Sequence, residues 1–326
     1  MSGNTENPES VRPRLPNFPD HALIGDAAKI PVNSPTAVVS VSPIIIPAPE
    51  RIIDLHVRVS APVTGNNLPI VLLSHGQGMS NNLSSLNGYA PVANFWAARG
   101  FVVIQPNHLS SKSLSLGPDV SPDAPLHYRS RVMDMKKILD NLDVIEAALP
   151  QLKGRLDHSR IAVAGHSMGG HTASMLLGAR LTDPISGSEL NLTEPRIKAG
   201  VLLAAPGDGR NGEGLSDYAK THMRFFLTHS HAEMATPALV VIGEEDGKQK
   251  GPKSLLRVVG GGHGLGDVSG YDTAEATDDE SPERLSMVLR LTWAYLWSQL
   301  YPEDHAWSAA VDALKQLPHL GKVESK

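Results

Sequence analysis

One serine in this chain stands where a hydroxyl can become a nucleophile. Residues 163–179 read VAGHSMGGHTASMLLGA, and Gly165-His166-Ser167-Met168-Gly169 has the G-x-S-x-G spacing of a nucleophile elbow. The reason for the spacing is steric. The serine sits on a sharp turn between a strand-like and a helix-like run, and the glycines let those two elements approach. The helix then aims its first N–H groups at the site, where they suit an oxyanion. A serine hydroxyl is a poor nucleophile at neutral pH. It needs a base, usually histidine, and the histidine needs an orienting carboxylate.

With this elbow the partners are expected in the chain order serine, acid, histidine. The run LVVIGEED ends at Asp246, and LLRVVGGGHG ends at His263 among glycines that let a loop carry the ring to the serine. Glu244, Glu245 and Asp246 also read as an ordinary solvated turn. Asp208, in AAPGDG after the preceding strand, is a rival acid, and the choice between Asp246 and Asp208 stays open. His229 and His231 precede the acid-bearing strand, and His305 and His319 follow no strand, so His263 is the expected base. Two backbone donors complete the chemistry. One is Met168, directly after the serine. The other is Gln77 in LLSHGQGMS, where the H-G-x-G glycines let the backbone turn its N–H groups inward.

These residues need a frame that brings strand ends together. IIDLHVRVS at 52–60 alternates and reads as a half-buried strand, and short Val-, Leu- and Ile-rich runs follow at 69–76, 101–107, 160–167, 199–207, 237–246 and 254–264. Apolar runs without alternation suit central strands covered on both faces. Helix-like segments fall at 85–100, 128–149, 168–181 and 281–300, the last with Ser281 as N-cap and Pro282 at the first helical position. This alternation predicts an α/β fold with a mostly parallel central sheet and helices on both faces. Functional residues then fall just beyond the strands' carboxyl ends. The first 35 residues carry Pro8, Pro13, Pro16, Pro19, Pro31 and Pro35, which predicts an extended arm, with 36–326 as a single domain. VVSVSPIII at 38–46 reads as an edge strand interrupted by Pro43.

Composition removes several chemistries. The 326 residues contain no cysteine, so thiolate catalysis, disulfides and Cys-type zinc sites are excluded. Fourteen histidines show no metal-ligand spacing, and no cofactor or metal is implied. The net charge of −5 and the lone short KQKGPK run argue against nucleic acid. The polar N-terminus has no apolar signal core, and no apolar run approaches the length of a membrane span. A cytoplasmic location is the expectation.

LLSHGQG, FWAARGFVVIQPNH, GHSMGG, GEED and GGGHG, in this order, resemble the α/β-hydrolase superfamily. Within it they are most similar to the dienelactone-hydrolase, platelet-activating-factor-acetylhydrolase and chlorophyllase-like esterases. The resemblance covers residues 50–302, including a segment from Ser269 similar to the closing helix of microbial members. It implies an α/β-hydrolase fold and a serine esterase acting on a small-molecule ester. Ser167 matches the nucleophile, Asp246 the acid, His263 the base, and Gln77 and Met168 the oxyanion donors. GHSMGG also matches cutinase-type polyester hydrolases, although these usually carry a disulfide that this chain cannot form. Acyl transfer to an alcohol or amine would use the same triad. A non-catalytic binding protein on this scaffold is the reading from another class. The short GKQKGPK connection between acid and base implies an open site. Residues 108–127 and 207–235 are expected to overhang it, and Met223, Phe225, Phe226 and Leu227 would line an acyl pocket or simply fill the core.

Overall fold

A run of Val, Leu and Ile with no polar face must be covered on both sides, and the chain achieves this with one sheet between two layers of helices. The computed structural model describes residues 23–78, 80–117, 120–124, 127–183, 186–206, 234–243, 254–270 and 279–325. Its strands are β1 (Val38–Ile46), β2 (Leu55–Pro62), β3 (Leu68–Ser74), β4 (Val102–Pro106) and β5 (Leu156–His166), then β6 (Leu181–Thr182) and β7 (Glu189–Leu190), and finally β8 (Ile197–Leu203), β9 (Ala238–Ile242), β10 (Ser254–Val258) and β11 (Gly321–Ser325). The helices are α1 (Ala90–Ala98), α2 (Tyr128–Asp140), α3 (Leu142–Ala148), α4 (Met168–Leu176), α5 (Pro282–Leu300) and α6 (Ala306–Lys315).

The main sheet has nine strands in the order β1-β2-β4-β3-β5-β8-β9-β10-β11. From β4 to β10 every neighbour is parallel. β2 runs against β1 and β4, and β11 runs against β10. The chain leaves β3 for β4 on one side and then crosses to β5 on the other. That reversal opens a crevice at the carboxyl ends of β3 and β5, where ligands bind in open α/β sheets.

Side chains alternate between the two layers with the strand period of two. Ile70 and Leu72 of β3 pack with Val132, Met135, Ile138 and Ile145 of α2–α3 and with Leu176 of α4. Val71 and Leu73 pack on the opposite face with Trp96 of α1, Leu291 and Leu296 of α5 and Leu314 of α6. Each such side chain contributes about 1.5–3 kcal/mol by leaving water. Among the described residues no helix is long and apolar enough to cross a membrane.

Several boundaries differ from the sequence expectation, each for a local reason. The single helix expected at 128–149 breaks at Asn141, whose side chain turns back to the Lys137 carbonyl at 2.8 Å and ends α2. The start of α2 is fixed by Asp123, whose carboxylate accepts the N–H groups of Arg129 at 2.6 Å and Ser130 at 3.0 Å. α5 begins as expected, with the Ser281 hydroxyl accepting from Arg284 N at 3.2 Å and proline in the first turn. Of the Pro-rich arm expected over residues 1–35, the described part starts at residue 23, and Gly25–Lys29 forms a 3-10 turn. Ala27 and Ile30 are fully buried there, and Arg290 of α5 donates to the Ile30 carbonyl at 2.6 Å. In β1 the ladder to β2 shifts between Val41 and Ile44, around Pro43, which lacks an N–H.

Candidate active site

Ser167 lies between the last residue of β5 and the first of α4, at φ 54° and ψ −120°. A side-chain-bearing residue in that region stores about 1–3 kcal/mol of strain, so its surroundings must hold it. They do so from both sides. The Ser167 N–H donates to Leu203 O of β8 at 2.9 Å, and the Ser167 carbonyl accepts from His171 N at 3.1 Å. The glycines work as the spacing predicts. A Cβ on Gly165 would overlap the Gly169 carbonyl, and one on Gly169 would overlap the carbonyl of Ser74 at the end of β3. α4 therefore starts directly against the β3 terminus. Met168 opens the helix, so its N–H has no intrahelical acceptor.

The loop after β3 supplies the facing wall. His75 and Gly76 are buried and Gln77 is exposed. His75 Nδ1 lies 2.7 Å from the Gly76 carbonyl, and its Nε2 lies 3.2 Å from the His108 backbone N–H. A carbonyl only accepts and an N–H only donates. The ring therefore carries its proton on Nδ1 and accepts at Nε2. In a planar trans peptide the Gly76 carbonyl and the Gln77 N–H point in opposite directions. By holding the carbonyl, His75 turns the Gln77 N–H the other way, and that N–H donates to no other described residue.

Behind this loop is a buried polar network that the sequence did not reveal. Ser74 Oγ lies 3.0 Å from His108 Nε2, and His108 Nδ1 lies 2.8 Å from Asp134 Oδ2. Arg51 Nε pairs with Asp134 Oδ1 at 3.0 Å. Arg131, fully buried, donates to Thr172 Oγ1 at 3.0 Å, Ser110 Oγ at 2.7 Å, Ser74 Oγ at 3.3 Å and the His75 carbonyl. Burial, reinforced by the Arg131 charge, pushes His75 down to about 3 and His108 well below the usual histidine range. Burial also pushes Asp134 up to about 7, against the pull of Arg51 and Arg131, and brings Arg131 down to about 10. Ser74, His108 and Asp134 thus make a hydrogen-bonded serine–histidine–aspartate relay. Ser74 and His108 have no solvent exposure, so no substrate reaches them.

His263 sits on the loop after β10, and its side chain is exposed. His166, the residue before Ser167, places its Nε2 2.8 Å from the His263 carbonyl, with the two rings 4.9 Å apart. The base expected from the sequence is thus held beside the elbow. Gly243, just past β9, packs so closely that a Cβ there would overlap the Gly261 carbonyl. The strand end that leads into Glu244, Glu245 and Asp246 therefore abuts the His263 loop. Asp246 itself lies outside the described residues, as do Asp208, His229, His231, Met223, Phe225, Phe226 and Leu227.

Asp279 is a further residue that the sequence reading did not single out. It is buried, accepts from Gly266 N at 3.3 Å and pairs with Arg284 at 2.9 Å, which anchors the base loop from below. Of the other histidines, His305 precedes α6, and His319 lies 3.3 Å from Asp26. Among the described residues the one group with metal-ligand proximity is Asp26, Glu283 and His319. Asp26 already pairs with Lys29 at 2.7 Å, and the group uses none of the strand ends that form the site. No protein-family model and no curated protein sequence matches the chain.

Proposed function

We propose that the chain is a carboxylic ester hydrolase of the α/β-hydrolase type, working through an acyl-enzyme on Ser167. The observation that carries this reading is the strained Ser167 turn at the reversal point of the sheet, close to Gly76, whose carbonyl His75 holds so that the Gln77 N–H turns away from it. Ser167 Oγ attacks the ester carbonyl while His263 takes its proton. The N–H groups of Gln77 and Met168 hold the oxyanion, in the geometry where each such donor typically contributes about 2.7–4 kcal/mol. His263 then protonates the leaving alcohol, and water resolves the acyl-enzyme by the reverse sequence. Asp246 is the acid that fits the order of the chain, and the contact of Gly243 with the His263 loop supports it over Asp208.

The test is reaction with a fluorophosphonate probe, hydrolysis of short p-nitrophenyl esters, and peptide mapping of the labelled site. Label on Ser167, with turnover and label both lost in Ser167→Ala, is the expected result. Absence of turnover and label in the wild type, or label on Ser74, refutes the proposal.

A further inference from the structure

The mechanism above uses neither Tyr89 nor the ring of His166, yet these two side chains link the loop of His263 to the amide that precedes the Gln77 peptide. We propose that they act as a positioning pair that ties the base-bearing loop to the oxyanion loop across the nucleophile. The proposal rests on the esterase reading of Ser167.

Proton bookkeeping fixes the direction of each bond. His166 Nε2 faces the His263 carbonyl at 2.8 Å, so Nε2 carries the hydrogen. In the neutral ring Nδ1 then accepts, and its partner is the Tyr89 hydroxyl at 2.9 Å. The same hydroxyl oxygen accepts the Gly76 N–H at 3.0 Å. One continuous chain results: Gly76 N–H to Tyr89 Oη, Tyr89 O–H to His166 Nδ1, and His166 Nε2–H to the His263 carbonyl. Tyr89 and His166 are both buried, which strengthens these bonds and makes their loss costly. Tyr89 is itself anchored on the base-loop side, since its backbone N–H donates to Ser269 O at 2.8 Å.

The loop chemistry explains why a tether is needed. His263 stands between Gly262 and Gly264, which offer no side chains to pack. Its neighbours are fixed further out, by Leu265, which is fully buried, and by the bond from Gly266 to Asp279. The His166 bond holds the main chain at the base itself. On the other side, the Gly76 N–H is the amide directly before the peptide that carries the Gln77 donor. A shift of about 1 Å at a reacting group can cost on the order of 100-fold in rate, and this chain restrains two such groups together.

The test uses Tyr89→Phe, His166→Leu, the pair combined, and His166→Gln, whose amide offers both a donor and an acceptor. The readout is kcat and KM on a p-nitrophenyl ester, with kcat counted per site titrated by the fluorophosphonate, so that loss of folded protein does not register. Tyr89→Phe and His166→Leu are each expected to lower kcat about 10–100-fold with KM within about threefold. The double variant should fall little below the worse single one, because both break the same chain. His166→Gln should recover most of the rate. Should His166→Leu fail to fold, Tyr89→Phe, which keeps the ring, and His166→Gln still decide the matter. Unchanged kcat per titrated site in Tyr89→Phe overturns the tether while leaving the esterase reading intact. A wild-type protein without turnover or label overturns that reading instead.

Discussion

Replacing His75 by phenylalanine removes two hydrogen bonds from a site that water does not reach. The Gly76 carbonyl loses its partner at 2.7 Å and the His108 N–H loses its partner at 3.2 Å. An orphaned buried polar group costs about 1–3 kcal/mol, so the pair is expected to cost about 2–6 kcal/mol of stability. That is a large share of the roughly 5–15 kcal/mol that holds a domain together. The catalytic effect is separate. Once its carbonyl is released, the Gly76–Gln77 peptide can rotate, and the Gln77 N–H no longer points consistently at the oxyanion. Complete loss of such a donor lowers kcat about 100–1,000-fold, which sets the upper limit. His75→Asn separates the two effects, because its amide nitrogen falls near the position of Nδ1 and still reaches the Gly76 carbonyl, while nothing replaces Nε2. It should lose about 1–3 kcal/mol of stability and keep kcat within about tenfold. The assays are urea denaturation and ester turnover per fluorophosphonate-titrated site. If His75→Phe folds, loses stability and retains wild-type kcat per site, His75 does not orient the oxyanion peptide and the reasoning fails.

Two further outcomes test the surrounding structure. Gly169→Ala drives a methyl group into the Ser74 carbonyl and should cost at least about 3 kcal/mol or prevent folding, whereas Gly117→Ala, with open space around it, should stay within about 0.5 kcal/mol; similar melting temperatures for the two would contradict the close approach of α4 to β3. Stability should also fall on acidification. His75 stays neutral in the folded chain down to about pH 3, while an unfolded histidine takes up its proton near 6.5, so the unfolded state binds more protons in between and is favoured as pH drops. His108 acts in the same direction, and Asp134, raised to about 7, acts in the opposite one. With two histidines against one carboxyl, the melting temperature is expected to be lower at pH 4.5 than at pH 7, and His75→Phe should flatten that dependence. A melting temperature that rises on acidification refutes this assignment.

The elements were legible where one physical signal dominated. Apolar runs mark β3, β4, β5, β8, β9 and β10, and Ser281-Pro282 marks the start of α5. The elbow was legible because glycine at both ends of Gly165–Gly169 has a single steric purpose. Arg131 and Asp134 were not legible. They flank Val132 and Met135 on the buried side of α2, and a periodicity argument assigns charged residues to solvent. Only the tertiary fold supplies the partners that let them enter the core. β11 escaped for the opposite reason. Gly321–Ser325 is polar and short, and only its pairing with β10 makes it a strand.

The two serine constellations at this crevice show why hydrogen bonding alone does not identify a nucleophile. Ser74 has the better-formed relay, with His108 and Asp134 aligned behind it at 3.0 and 2.8 Å. Yet it is the last residue of β3, fully buried, with a guanidinium 3.3 Å from its oxygen and no path for a substrate. A buried cation beside Oγ stabilises the oxygen in place, and the relay spends its bonds on holding the loop that carries Gln77. Ser167 has the reverse profile. Its backbone is strained at φ 54°, the residue is partly exposed, and it stands directly before the first turn of α4. The histidine proposed as its base lies on a glycine-flanked loop whose main chain His166 holds, with the two rings 4.9 Å apart. A reacting serine needs access and donors for developing charge, and of the two it is Ser167, partly exposed before the first turn of α4, that the proposed ester hydrolysis would use.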